Sequence, residues 1–147
     1  RSYIKALSIQ KARLSMTDSR NKGKGFEYEV IQLHQDHLGL QLKRDIEQYR
    51  VQDHGDLISE DKDFPFAIEC KRRRKGFLPD KDWWVQTCTA ANLCRKIPIL
   101  IYRFDRLPVR VRVPMSILNK VEVQERDWRY VTDMDFDTYA MIVREML

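Results

Sequence analysis

The period of the apolar positions changes along this chain, and each change predicts an element. Phe26, Val30, Ile31, Leu33, His34, His37 and Leu38 fall on one broad arc at roughly 100° per residue, predicting a helix over 25–38 that ends near Gly39. Leu40 to Arg44 reads as a strand or an extended link, and 45–55 as a polar loop. Asp56 to Ser59 begins a strand, and Asp61-Lys62-Asp63 is a turn. Over 64–72 the period falls to two: Phe66, Ile68 and Cys70 alternate with Ala67, Glu69 and Lys71. One face of that strand is expected in the core, the other free for chemistry. Pro79-Asp80 introduces a second helix over about 81–94, and Pro98 opens an apolar strand over 99–104. Val109, Val111 and Val113 alternate strictly with Arg110 and Arg112, predicting a strand with valines inward and arginines outward. A short helix should follow Pro114-Met115-Ser116-Ile117. The last helix, 136–147, carries the stripe Phe136, Tyr139, Ile142, Val143 and Met146, suited to capping the domain or meeting a second subunit. This order predicts an α/β fold, a central mixed β-sheet flanked by helices. Residues 22–147 suit one domain, with 1–21 a basic N-terminal tail or extension and Met16 a candidate native start.

Charge sharpens this picture. The 147 residues carry a net +5, which favours an anionic partner. Residues 1–25 hold seven Lys or Arg against one acid, and Lys71-Arg72-Arg73-Arg74-Lys75 is a second basic run. Cys70, Cys88 and Cys94 show neither disulfide nor zinc spacing. They fit a reducing, cytoplasmic setting. No apolar run reaches membrane-spanning length, so no membrane partner is expected, and nothing suggests a small-molecule cofactor.

The candidate chemistry sits on Asp56, Glu69 and Lys71. Two carboxylates hold a hard divalent cation through oxygen, and the cation activates water and polarises phosphate. A lysine two residues from Glu69 shares its strand face and steadies the developing charge. Mg²⁺ is the expected ion, and Mn²⁺ suits the same oxygen ligands. The Cys70 carbonyl is a candidate extra ligand, while its side chain reads as a buried small hydrophobe. Glu27 lies inside the apolar arc of the first helix, where a carboxylate is costly unless paired or metal-bound. Glu29 lies outside that arc and reads as solvated. Lys22-Gly23-Lys24-Gly25 precedes the helix and suits phosphate approach; the alternative is a flexible linker. Arg72, Arg73, Arg74 and Lys75 beside Trp83 and Trp84 suit a nucleic-acid backbone, although one tryptophan is expected in the core. Gln86 is a candidate to orient water or touch phosphate, the alternative being a surface polar residue. His34 and His37 have a metal-compatible spacing but no third soft ligand, so they read as core or near-site histidines.

In order, these motifs resemble the PD-(D/E)XK nuclease superfamily, and within it the Holliday junction resolvases of archaea and phages. The carriers are Lys22-Gly23-x-x-x-Glu27-x-Glu29, Gly55-Asp56, Phe66-Ala67-Ile68-Glu69-Cys70-Lys71, Trp83-Trp84-Val85-Gln86 and Ile97-Pro98-Ile99-Leu100-Ile101-Tyr102-Arg103. The sequence departs at Asp56, which follows Gly rather than Pro, and at Tyr28, which stands where relatives often have Arg. The resemblance implies a restriction-endonuclease-like fold, with Glu27, Asp56 and Glu69 around the metal and Lys71 catalytic. It also implies a homodimer making paired symmetric cuts in a four-way junction, with 5′-phosphate products, and a phage-encoded gene as one source. The rival readings are a nuclease of the same fold acting on flaps, duplex or single strands, a DNA-binding module with an inactive site, and a structural nucleoprotein.

Overall fold

The computed structural model describes residues 22–46, 55–118 and 128–147. The proposed tail, 1–21, lies outside them. The first helix, α1, covers 22–38 and is followed by β1 (Leu42–Arg44), β2 (Leu57–Ser59) and β3 (Phe66–Arg73). Then come α2 (Lys81–Cys94), β4 (Ile97–Phe104), β5 (Arg110–Pro114), a 3₁₀ turn (Met115–Ile117), β6 (Val131–Asp135) and α3 (Phe136–Met146).

The strands form one sheet in sequence order, with β3 and β4 parallel and every other pair antiparallel. A parallel pair needs a crossover, and α2 supplies it. Phe26 and Val30 of α1 and Phe136, Tyr139 and Val143 of α3 share a core with Ile68, Ile99, Ile101, Val111 and Val113. Trp83 of α2 packs with Leu100, Tyr102 and Phe104, the alternate residues of β4. Helices therefore cover both faces, and the layers run helix, sheet, helix. This bears out the expected mixed-sheet α/β architecture.

The β3 reading needs one correction. Its side chains from Phe66 to Cys70 are buried on both faces, because a central strand beside a parallel neighbour is covered twice. No face of its first five residues is left to water. The Lys22–Gly25 segment is also helical rather than a loop leading into the helix. Pro98 lies inside β4, where the missing N–H costs no ladder bond: Ile97 N donates to Pro65 O, and the β5 pairing begins only at Leu100. The outward arginines of β5 are not simply solvated. Arg112 Nε donates to Asp133 Oδ1 at 2.7 Å, and the Tyr102 hydroxyl donates to Asp133 Oδ2 at 2.9 Å. Strand β6 escaped the sequence reading. On α3, Ala140 replaces Met146 in the core, and Asp135 caps the helix by accepting from Thr138 N at 2.7 Å.

His34 is a core histidine. Nδ1 lies 2.8 Å from Val30 O and Nε2 lies 3.0 Å from the Tyr139 hydroxyl, tying α1 to α3. Burial pushes its pKa down to about 4, so the ring is neutral.

Candidate active site

The site forms where β2 meets β3. Asp56 N donates to Ile68 O at 2.7 Å, and the β2–β3 register among the described residues is the single pair Leu57–Ile68. Gly55 makes this approach possible. A Cβ there would lie 2.4 Å from Ile68 O and 2.7 Å from Ile68 N, inside any permitted contact. The glycine before Asp56 is therefore a steric requirement of the site.

Asp56 turns its carboxylate onto β3, where Oδ2 accepts from Cys70 N at 2.7 Å. On a strand the N–H and C=O of one residue point the same way across the ladder. The Cys70 carbonyl therefore faces the Asp56 side. The Cys70 thiol points into the core, where burial pushes its pKa well up, so only the backbone of Cys70 is open to the site.

Glu69 is 2% exposed, and its Oε2 has no hydrogen-bond partner. Burial, then the neighbouring Asp56 charge and a hydrogen bond with Asp56, push its pKa up to about 9, while Lys71 opposes the shift. Lys71, two residues on, is half-buried on the same side of β3. Glu27 reaches this cluster from α1. Its pKa is raised by burial and by Asp56, against the lowering pull of Arg44 and Lys71. The four side chains expected from the sequence thus form one electrostatic neighbourhood.

Two features lay beyond the sequence reading. Glu27 is ion-paired with Arg44 of β1, and Arg44 also stacks on Tyr28, 5.6 Å from the ring centre. The cost of a half-buried Glu27 is met by an arginine. Among the described residues no group of three His, Cys, Asp or Glu side chains converges closely enough to hold a metal. The carboxyls that meet are Asp56 and Glu69, which share a hydrogen bond, with the Cys70 carbonyl on the Asp56 side of β3. An orphaned buried carboxylate oxygen beside a second carboxylate fits a hard cation that keeps part of its water shell. The one signal for the Glu27–Arg44 pair was the Glu27 position itself, which demanded a partner without saying which.

The nucleic-acid candidates separate into paired and open groups. Lys22 and Arg72 both bond to Asp105, with Arg72 Nε 3.0 Å from Oδ1. Arg73 Nη1 lies 2.6 Å from Asp80 Oδ2. Arg74, Lys75, Lys24 and Gln86 are exposed. Trp83 is a correction: it is only 8% exposed, stacks on Phe104 at 5.9 Å between ring centres, and has the Arg73 guanidinium 4.9 Å from its ring. A ring buried in this way offers no platform to a base. Trp84 is half-buried and donates to Trp128 O at 3.0 Å. Glu29, expected to be solvated, pairs with Arg103 of β4 at 2.5 Å.

No helix among the described residues is long and apolar enough to cross a membrane. A search among curated proteins finds no match. Among solved structures, Archaeoglobus fulgidus Hjc, a Holliday junction resolvase from an archaeal hyperthermophile, is similar to this chain at 20% identity. The TM-score is 0.47, and the alignment covers 82% of this chain and 88% of that one. Residues 18–146 match the family described as "Phage putative PDDEXK endonuclease". That match takes in nearly all of the chain and every motif above, so the protein belongs to the phage PD-(D/E)XK endonuclease family and is a nuclease.

Proposed function

We propose that the protein is a metal-dependent DNA endonuclease that hydrolyses phosphodiester bonds, with four-way junctions as its substrate. The observation that carries the metal site is Glu69: a fully buried carboxylate with one oxygen unpartnered and a second carboxylate beside it. Such an arrangement is expensive unless a cation completes it. The junction preference rests on the ordered sequence motifs, as does the expectation of a homodimer with one site for each cut.

Asp56, Glu69 and the Cys70 carbonyl would hold Mg²⁺ or Mn²⁺, which when bound polarises phosphate and makes water a better nucleophile. Glu27, half-buried and tethered by Arg44, is placed to act through water rather than by direct ligation. Lys71 orients the attacking water and stabilises the negative charge that builds on the phosphoryl oxygens. A new water–phosphorus bond forms, the bond to the 3′ oxygen breaks, and that oxygen leaves with a proton. The product keeps a 5′-phosphate. The exposed cations Lys24, Arg74 and Lys75 would hold the DNA backbone through charge.

The test is cleavage of end-labelled DNA in Mg²⁺ on a four-way junction, a flap, a duplex and a single strand. Paired symmetric cuts confined to the junction, lost in Asp56→Asn, are the expected result. Equal cutting of duplex would move the function to a general nuclease. Cutting by Asp56→Asn at the wild-type rate would remove Asp56 from the site.

A further inference from the structure

The loop joining β3 to α2 presents two adjacent large apolar side chains to water: Phe77 is 74% and Leu78 68% exposed. The loop is anchored beneath them. The Arg73–Asp80 ion pair closes its base at 2.6 Å, and Arg73 lies over Trp83. Gly76, at φ 127°, lies so close to Phe104 that a Cβ would meet the ring at 2.7 Å. A short loop held at these points displays its apolar tip instead of folding it inward. Beside the tip is an open cleft of about 250 Å³ lined by Arg74, Lys75, Asp105 and Arg106. Asp105 is already held by Lys22 and Arg72, and among the described residues no ion pair engages Arg74, Lys75 or Arg106.

An apolar tip and a cationic cleft side by side match one repeating chemistry, a base attached to a phosphate. A second copy of this chain fits poorly, because it would bring its own basic run against this one. The loop also continues directly from the site. From Glu69 to Arg73 the strand advances about 13 Å, a few nucleotides of backbone.

We infer that the β3–α2 loop binds an unstacked DNA base against Phe77 and Leu78 while a neighbouring phosphate sits among Arg74, Lys75 and Arg106. The inference rests on the nuclease reading of the site and narrows its substrate to DNA with reachable bases: branches, flaps, gaps and single strands. Phe77 supplies a π-face, which tolerates any base, and the three cations supply charge without reading sequence. The loop thereby selects DNA structure, and the carboxylate cluster cuts it.

The experiment measures the affinity of the full chain, without metal, for a four-way junction carrying a fluorescent base analogue at the branch, and for an unbroken duplex of equal length. Wild type should change the fluorescence of the analogue on binding. Phe77→Ala should lower the junction-to-duplex affinity ratio about tenfold or more. Phe77→Trp should restore the ratio, whereas Phe77→Leu should not, because only tryptophan keeps an aromatic face. Phe77 is exposed, so these changes leave the core intact. An unchanged ratio in Phe77→Ala overturns the inference, as does equal rescue by leucine, or a dimer that falls apart in Phe77→Ala on sedimentation. Wild type that cuts branched DNA while Phe77→Ala keeps its ratio sinks the loop alone. Wild type that neither binds nor cuts DNA sinks the nuclease reading as well.

Discussion

The two ends of β3 solve opposite electrostatic problems. At Glu69, carboxyl groups are packed together away from water, which pushes the Glu69 pKa up to about 9, and one of its oxygens has no partner. Four residues on, at Arg73, opposite charges meet at the surface: Arg72 with Asp105 and Arg73 with Asp80. The first arrangement sacrifices stability that the proposed cation would restore on binding. The second is satisfied within the protein and serves to fix geometry. The contrast shows why a count of charges along this strand is a poor guide to role. Among the acids one oxygen of Glu69 is left without a partner, whereas Arg72 and Arg73 of the basic run are already paired.

The acidic end depends on backbone contact, so it should break most easily there. Gly55→Ala places a methyl group against the Ile68 backbone and should cost about 3 kcal/mol or more, with loss of cleavage as Asp56 moves. Urea unfolding and the junction assay together check this, and a variant of wild-type stability would contradict the proposed close approach.

His34 provides a dry ionisable group away from both ends. Its folded pKa of about 4 lies below the ordinary 6.5, so its contribution is intact above pH 6.5. That contribution is lost progressively as pH falls toward 4, to a total of about 3 kcal/mol. Denaturation midpoints between pH 7 and 4 should show this slope, and His34→Leu should flatten it. The ionisable side chains nearest this imidazole are His37 and Tyr139, and Asp137 lies against His37.

Much of this was legible in the chain. The two-residue period of β3 put Glu69 and Lys71 on one face, because strand geometry turns spacing directly into a shared face, while Asp56 joined them only through the chemistry of the motif set and the family resemblance. The long apolar strand β4 and the capped helix α3 were equally readable. Partners distant in sequence were not. Nothing local to Glu27 names Arg44, and nothing local to Glu29 names Arg103, since both pairs depend on how α1 lies across the sheet. Adjacent Trp83 and Trp84 look alike in sequence. The phase of α2 over Phe104 decides which is buried, and it is Trp83. Strand β6 was invisible because Val131-Thr132-Asp133-Met134-Asp135 alternates around a single buried methionine, an edge strand with little apolar signal.

Milder substitutions sharpen the contrast between the two ends of β3. Glu69→Gln removes the cost of protonating this buried carboxyl on folding and should stabilise the metal-free protein by about 1–2 kcal/mol, read as a rise of a few degrees in Tm. A fall in Tm would mean that the carboxylate is already compensated. Asp80→Asn at the basic end should cost less than about 1 kcal/mol, because the Arg73–Asp80 pair is half-exposed on both sides. A larger loss would show that this pair holds the fold rather than only the loop.

The central claim is that the Asp56–Glu69 cluster is a cation site that cuts DNA. Single-turnover cleavage of one labelled junction across a range of Mg²⁺ concentrations, for wild type and Glu69→Gln, tests it most directly. The account predicts saturable cutting that EDTA abolishes, and a fall of at least about a hundredfold in Glu69→Gln despite its higher Tm. Wild-type cutting in EDTA, or Glu69→Gln cutting at the wild-type rate, would contradict it.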